Sequence, residues 1–208
     1  MEHRIADHQL VELKLFDMSK SSFAKLIIDK LAAAIGTDGG SFDSGSATKA
    51  MSAVASAITE YLISNTTVDI VYTGIIASTP PQPDPVVKDS FKIVGSCKQT
   101  VASDSFDSWI KQIESNIING FQLAPKGTSG VIFAQKPFLN QGISVSQSDL
   151  KSIYDISDES PQQKVWEVIC DSIIKWIGGV ALNPAPGSAS RPNGPSSGTA
   201  NIVKININ

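Results

Sequence analysis

Four stretches of this chain repeat apolar residues at steps of three and four, and that period limits what it can fold into. Such spacing draws a stripe along a helix, and the stripe must be covered by another helix or by a sheet. In the first stretch the stripe is Phe23, Leu26, Ile27, Leu31, Ala34 and Ile35, with Ser19 or Ser21 as cap and Gly36 as stop. The second opens at Ser46 and carries Met51, Val54, Ala55, Ile58 and Leu62. Its small residues Ala50, Ser52, Ala53, Ser56 and Ala57 admit a close helical neighbour. The third, capped by Asp104 or Ser105, runs through Phe106, Trp109, Ile110, Ile113, Ile117 and Phe121, with Gly120 near its end. The fourth starts at Pro161, buries Val165, Trp166, Ile169, Ile173, Trp176 and Ile177, and stops at Gly178-Gly179. A shorter capped helix is expected from Ser146 to Ile153, with Asp149 three residues after Ser146.

The third and fourth stretches share a pattern. Trp109-Ile110-Lys111-Gln112-Ile113 and Trp166-Glu167-Val168-Ile169 each place Trp within the first two turns. Each continues into an Ile-Ile pair, Ile117-Ile118 or Ile173-Ile174, and leaves through glycine into an Ala/Pro/Gly/Ser loop. The spacing drifts by one residue between them, so duplication and two unrelated amphipathic helices both stay open.

Period two marks the strands. Val11, Leu13 and Leu15 alternate with Glu12 and Lys14, which predicts a half-buried strand over 10–16, although seven residues could also start a helix. Val68 to Ile76 reads as a strand and Val86 to Val94 as a second, with a short apolar run at Val131 to Phe133. Between the first two, Pro80, Pro81, Pro83 and Pro85 predict a stiff polyproline connection without regular structure.

Residues 183–200 hold four prolines and three glycines among serines, with Arg191 as the one charge, too little apolar surface to fold alone. They end in Ile202-Val203-Lys204-Ile205-Asn206-Ile207, where Val203, Ile205 and Ile207 share a face. Burying those three side chains yields about 1.5–3 kcal/mol each. Ordering six strand residues costs about 1–2 kcal/mol each, so hydrogen bonds to a sheet edge must tip the balance. The expectation is an extended C-terminal arm whose strand residues Ile202, Val203, Ile205 and Ile207 bind a neighbouring subunit. Pairing with the chain's own strand at 10–16 and a disordered tail are the alternatives.

Charge and chemistry narrow the function. The formal charge is −3 with 18% charged residues, while Ser reaches 28 and Ile 25, a balance that argues against a nucleic-acid partner. No apolar run approaches a membrane span, and the N-terminal residues Met1 to His8 lack the apolar core of a signal peptide. His3 and His8 are the only histidines, so neither a histidine triad nor a His/Cys metal cluster can be assembled. Nucleophile-elbow, phosphate-loop and dinucleotide motifs do not occur. Asp155, Asp158 and Glu159 fit no calcium loop and suit the N-terminus of the following helix. Cys97 and Cys170 read as free, buried thiols. No catalytic residue, metal, cofactor or small-molecule substrate is expected.

Low charge, Ser/Ile/Ala richness, the Phe106-x-x-Trp109-x-x-x-Ile113-x-x-x-Ile117-x-x-Gly120-Phe121 unit and the Ala124-Pro125-Lys126-Gly127-Thr128-Ser129-Gly130 turn together resemble the small structural subunits of tailed-bacteriophage virions. The resemblance is one of style and carries over no functional residue. It implies a non-enzymatic capsid, connector or tail subunit, made in the host cytoplasm and docked to copies of itself or to other virion proteins. A soluble peptide- or protein-binding module or assembly chaperone, using the Pro80–Pro85 segment or a helix groove, is the alternative. The expected fold is α+β and α-rich: about four amphipathic helices, a minor antiparallel sheet and the arm. Its sections are an N-terminal helix pair with strands (1–79), the Pro-rich connection (80–85), a helical region (86–179) and the arm (180–208). Phe106, Trp109, Ile113, Ile117, Trp166, Ile169, Ile173 and Trp176 are the expected core anchors.

Overall fold

The structure, a computed structural model, describes residues 2–35, 44–101, 105–125, 130–133, 138, 142–153, 161–178 and 185–207. The elements are α1 (Glu2–Ile35), α2 (Ser44–Asn65), β1 (Thr66–Ile76), β2 (Gln82–Gly95), α3 (Phe106–Gly120), β3 (Phe121–Pro125), β4 (Val131–Phe133), α4 (Gln147–Ile153), α5 (Pro161–Gly178), β5 (Ala185–Arg191) and β6 (Gly194–Ile207). All six strands join one antiparallel sheet in the order β3-β2-β1-β6-β5-β4. The expectation of an α-rich fold with a minor sheet is therefore corrected: the described residues balance five helices against a six-stranded, curled sheet.

Three segments differ from expectation, and the second and third account for the shortfall in strand. Residues 10–16 belong to α1, which is continuous to Ile35. No Gly or Pro separates them from the stripe that begins at Phe23, and extending a helix costs far less than starting a new element. The second misreading concerns the Pro-rich connection, because β2 begins at Gln82 and includes Pro83 and Pro85. The strand β3 pairs only with Phe91–Gly95, which leaves the first half of β2 at an edge, where a residue lacking N–H is tolerated. A register shift sets Pro85 and Val86 against Thr73, a bulge.

The C-terminal arm is the third. Ala185–Arg191 and Gly194–Ile207 form a hairpin, and β6 pairs along its length with β1. The strand expected to reach another subunit is thus a central strand of its own sheet. A second register shift, between Asp69 and Ile70, changes its facing: Ile202, Ile205 and Ile207 pack on the core, while Val203 is exposed.

Glycine-rich strands are stable here because neighbours fill the missing volume. Gly74, Gly198 and Gly187 are paired in one row across β1, β6 and β5. The fully buried ring of Tyr72 occupies the space that side chains on Gly74 and Gly187 would need: a Cβ on Gly74 would lie 2.4 Å from the Tyr72 hydroxyl, and one on Gly187 3.2 Å from its ring carbons. The Tyr72 hydroxyl reaches Ser196 Oγ at 3.0 Å.

One core runs through the molecule, drawing Phe23 and Ile27 from α1, Ile58 and Leu62 from α2, Ile113 and Ile117 from α3, Ile173 and Ile177 from α5, and Val68, Ile70 and Tyr72 from β1. Phe23 stacks on Tyr61 with centroids 4.0 Å apart. The paired tryptophans of α3 and α5 meet, Trp109 edge-on to Trp166 at 6.1 Å. Ser105 caps α3 through Ser108 N–H, and Ser146 Oγ accepts from Asp149 N–H at the start of α4. Gly36, the loop at 37–43, Asp104, the turn at 126–129 and the acids at 155, 158 and 159 lie outside the described residues.

Candidate functional site

Strand alternation sorts the sheet into two faces. Val68, Ile70, Tyr72, Phe91, Ile93, Ala185, Ala189 and Ala200 turn inward and are buried, so the intervening residues form an open face. Cross-strand register places Pro83, Ile75, Ser197, Ser188 and Ile132 in a single row over five strands, β2-β1-β6-β5-β4. All five are exposed, Ile75 at 58% and Ile132 at 67%. On one side of this row lie Thr73, Thr199 and Pro186, with Val86 exposed at the bulge; on the other lie Ala77, Pro195 and Ser190. Among the described residues no charged side chain sits in this half of the face.

The other half is charged. Lys88, Lys92 and Lys204 project from β2 and β6, and Asp69 stands between them on β1. Asp69 accepts hydrogen bonds from Ser90 Oγ at 2.6 Å and Asn206 Nδ2 at 2.7 Å, which ties three strands through one carboxylate. The open face is therefore divided along the strands into an uncharged end and an ionic end.

Beneath the uncharged end, the buried face carries the best-enclosed ion pair. Arg191 Nε donates to both oxygens of Asp84, at 3.0 and 2.9 Å, and the Asp84 side chain is only 1% exposed. Burial pushes the Asp84 carboxyl up, but hydrogen bonds from Ser196 and Arg191 and the Arg191 charge outweigh it and hold it below its ordinary value. Asp84 is on β2 and Arg191 on β5, three strand spacings apart, or about 14 Å in a flat sheet. Their contact requires the sheet to curl, with the pair as a clasp across the curl.

A second buried carboxylate serves a loop. Glu114 on α3 accepts from the backbone N–H groups of Gly142 and Ile143 at 3.0 and 3.2 Å, holding the chain that leads to α4. Both thiols are free and buried. Burial raises the Cys97 thiol to about 12 and lifts Cys170 well above its ordinary value, with Glu167 and Asp171 adding to the latter. A cleft of about 540 Å³ lies between α1, α4 and α5 and mixes Lys20, Lys164 and Lys175 with Asp149, Glu167 and Asp171. Asp171 is engaged by Lys175 at 2.6 Å and Glu167 by Ser21 at 2.9 Å. Among the described residues no group of His, Cys, Asp and Glu could hold a metal ion, and no helix is long and apolar enough to cross a membrane.

Most of the residues singled out in the sequence meet in the one core. Ile113, Ile117, Ile169, Ile173 and Trp176 are buried, Trp109 and Trp166 pack partly buried, and Phe106, in the first turn of α3, is 36% exposed. Ile75, Val86 and Ile132 were not signalled by any single segment. The signal for the sheet that carries them was a period of two written in small residues, Ala185, Gly187 and Ala189 against Pro186, Ser188 and Ser190. No protein-family model, curated protein or solved structure matches this chain.

Proposed function

We propose that the chain is a non-enzymatic structural subunit, of the assembly type met in tailed-phage virions, and that it docks on neighbouring proteins through the uncharged end of its open sheet face. The C-terminal strand does not carry this reading, since it is consumed within the chain's own sheet. What supports it is the row Pro83, Ile75, Ser197, Ser188, Ile132, where two large aliphatic side chains are presented among small polar ones with no ion to desolvate. Exposed apolar groups gathered on an open face without charge are how a surface marked for burial is built. The low overall charge fits the same use.

The test is composition. Phage particles are purified on density gradients from a culture expressing the gene, and peptides of this chain are quantified in them. A fixed copy number per intact particle is expected. Particles that lack the chain while the cells contain it would overturn the assignment.

A second reading, a peptide- or protein-binding module, draws on the mixed-charge cleft between α1, α4 and α5. It predicts a partner whose binding is weakened by reversing Lys20 and Lys175 and is indifferent to Ile75→Lys.

A further inference from the structure

We infer that Asn193, at the tip of the β5–β6 hairpin, is a site of spontaneous modification, where the backbone nitrogen of Gly194 displaces the side-chain amide and an acid is left in its place. Asparagine followed by glycine is the pairing most open to this reaction, because glycine has no Cβ to crowd the attacking nitrogen and lets the chain turn. The dipeptide occurs twice, at Asn119-Gly120 and at Asn193-Gly194, and the fold sets the two in opposite circumstances.

Asn119 is locked. It lies in the last turn of α3, and its Nδ2 donates to Ser115 O at 2.9 Å. Gly120 ends that helix with its carbonyl accepting from Ser96 N–H at 3.0 Å, and a Cβ there would stand 2.1 Å from Ser96 O, so its backbone has no room to turn. Asn193 is held by nothing of the kind. Arg191 and Gly194 are the last pair of the β5–β6 ladder, which leaves Pro192 and Asn193 as an exposed two-residue tip. Among the described residues no hydrogen bond holds the Asn193 side chain. A tip beyond the last ladder pair opens at little cost in free energy, and brief openings suffice for a slow reaction. The attacking residue is fixed by the fold. Gly194 has φ +129°, and a Cβ there would lie 3.1 Å from Ala77 O, so no bulkier residue can take its place and shield the amide. Asn193 has no positive φ, so the turn makes no such demand on it.

The step needs only water and a solvent base. Gly194 N gives its proton to the base and bonds to Asn193 Cγ; the Cγ–Nδ2 bond breaks, and the amide leaves as ammonia with a proton from solvent. Water then opens the five-membered imide. Cleavage at Cγ restores the ordinary main chain as aspartate, and cleavage at the Asn193 main-chain carbonyl gives isoaspartate, with the chain running through Cβ and Cγ. Either product puts one more negative charge just beyond the row Ala77, Pro195, Ser190, at the end of the open face where the described residues carry none. The isoaspartate also lengthens the tip by one main-chain carbon, next to the Arg191–Gly194 pair from which Arg191 reaches Asp84. Where this end meets a neighbour, the acid form has an ion to desolvate that the fresh chain lacks.

The full chain is aged in mildly alkaline buffer at body temperature, beside a synthetic peptide of residues 189–197 in which the same Asn-Gly has no fold around it, and both are mapped by mass spectrometry with fragmentation. Residue 193 of the folded chain is expected to gain about 1 Da at a rate within about tenfold of the peptide, with Asn119 at least about tenfold slower than Asn193. Isoaspartyl methyltransferase with labelled S-adenosylmethionine should mark the digest peptide that carries residue 193. The same peptide from aged Asn193→Gln should stay unmarked, because glutamine would have to close a six-membered ring. Conversion of residue 193 slower than that bound overturns the inference. So does equal conversion at Asn119, since global unfolding and not the hairpin tip would then set the rate. A mark that persists in Asn193→Gln overturns it as well, by placing the isoaspartate elsewhere in that peptide. Each result stands whether or not phage particles contain the chain.

Discussion

Asp84 and Arg191 show what a single pair of residues decides. Arg191 is the lone charge in a Pro/Gly/Ser stretch, and in the sequence nothing links it to an aspartate 107 positions away. Removing one partner leaves the other buried without its counter-charge, so Asp84→Ala is expected to cost about 3–5 kcal/mol, read from the denaturant midpoint. Replacing both, as Asp84→Leu/Arg191→Leu, should recover most of that loss, because two apolar groups then fill the site. If the double variant is as unstable as the single, the pair is held by more than its mutual charge. The pH dependence has a definite sign. The carboxyl sits below its ordinary 3.8 in the fold, so the unfolded chain binds the proton more readily. The stabilisation is complete above that value and is lost as pH falls through the lower, folded one. Urea midpoints of wild type should therefore drop on acidification below 3.8 more steeply than those of Asp84→Asn.

At the scale of the element, helices were legible and strands were only half so. The stripes at 23–35, 46–62 and 165–177 lie on helices, and the third does as far as Ile117, its last member Phe121 opening β3, because a helix draws its hydrogen bonds and its apolar stripe from residues three and four positions away. The alternation at 202–207 was legible as a strand, but β5 and the first half of β6 were not. Their Gly, Ser and Ala positions look like a tether until Tyr72 is seen lying over the glycine row. That arrangement grades the glycines. A Cβ on Gly198 would stand 2.0 Å from Thr73 O and 2.4 Å from the Cα of Gly74, both backbone, whereas on Gly187 it meets the Tyr72 ring at 3.2 Å. Gly198→Ala must push β1 and β6 away from each other and is expected to destabilise by about 1–3 kcal/mol or more. Gly187→Ala asks only a small shift of the ring and should cost less. Thermal melting of the two variants checks the order, and equal losses would show that the row is not packed as described.

For the molecule as a whole, the position of β6 matters most. It lies between β1 and β5, and through β5 it holds β4. A chain ending at residue 193 would lose the partner of the longest ladder, leave β1 with a bare edge over the core, and disconnect the rest of the sheet. Such a chain is expected to show no cooperative thermal transition by circular dichroism. An extended arm would predict the opposite, a body that melts as before, so the experiment separates the two architectures directly. The amino-acid sequence by itself determined the apolar stripes on which the helices are built, that both thiols are buried, how α4 is capped and that β1 is a strand. Those features depend on neighbours a few positions apart or on burial that composition favours. Only the tertiary structure decided the order of the strands, the capture of the C-terminal segment inside its own sheet, and which residues share the open face. A strand takes its partner from anywhere in the chain, and a segment of small residues becomes a stable strand only where distant side chains supply the volume it lacks.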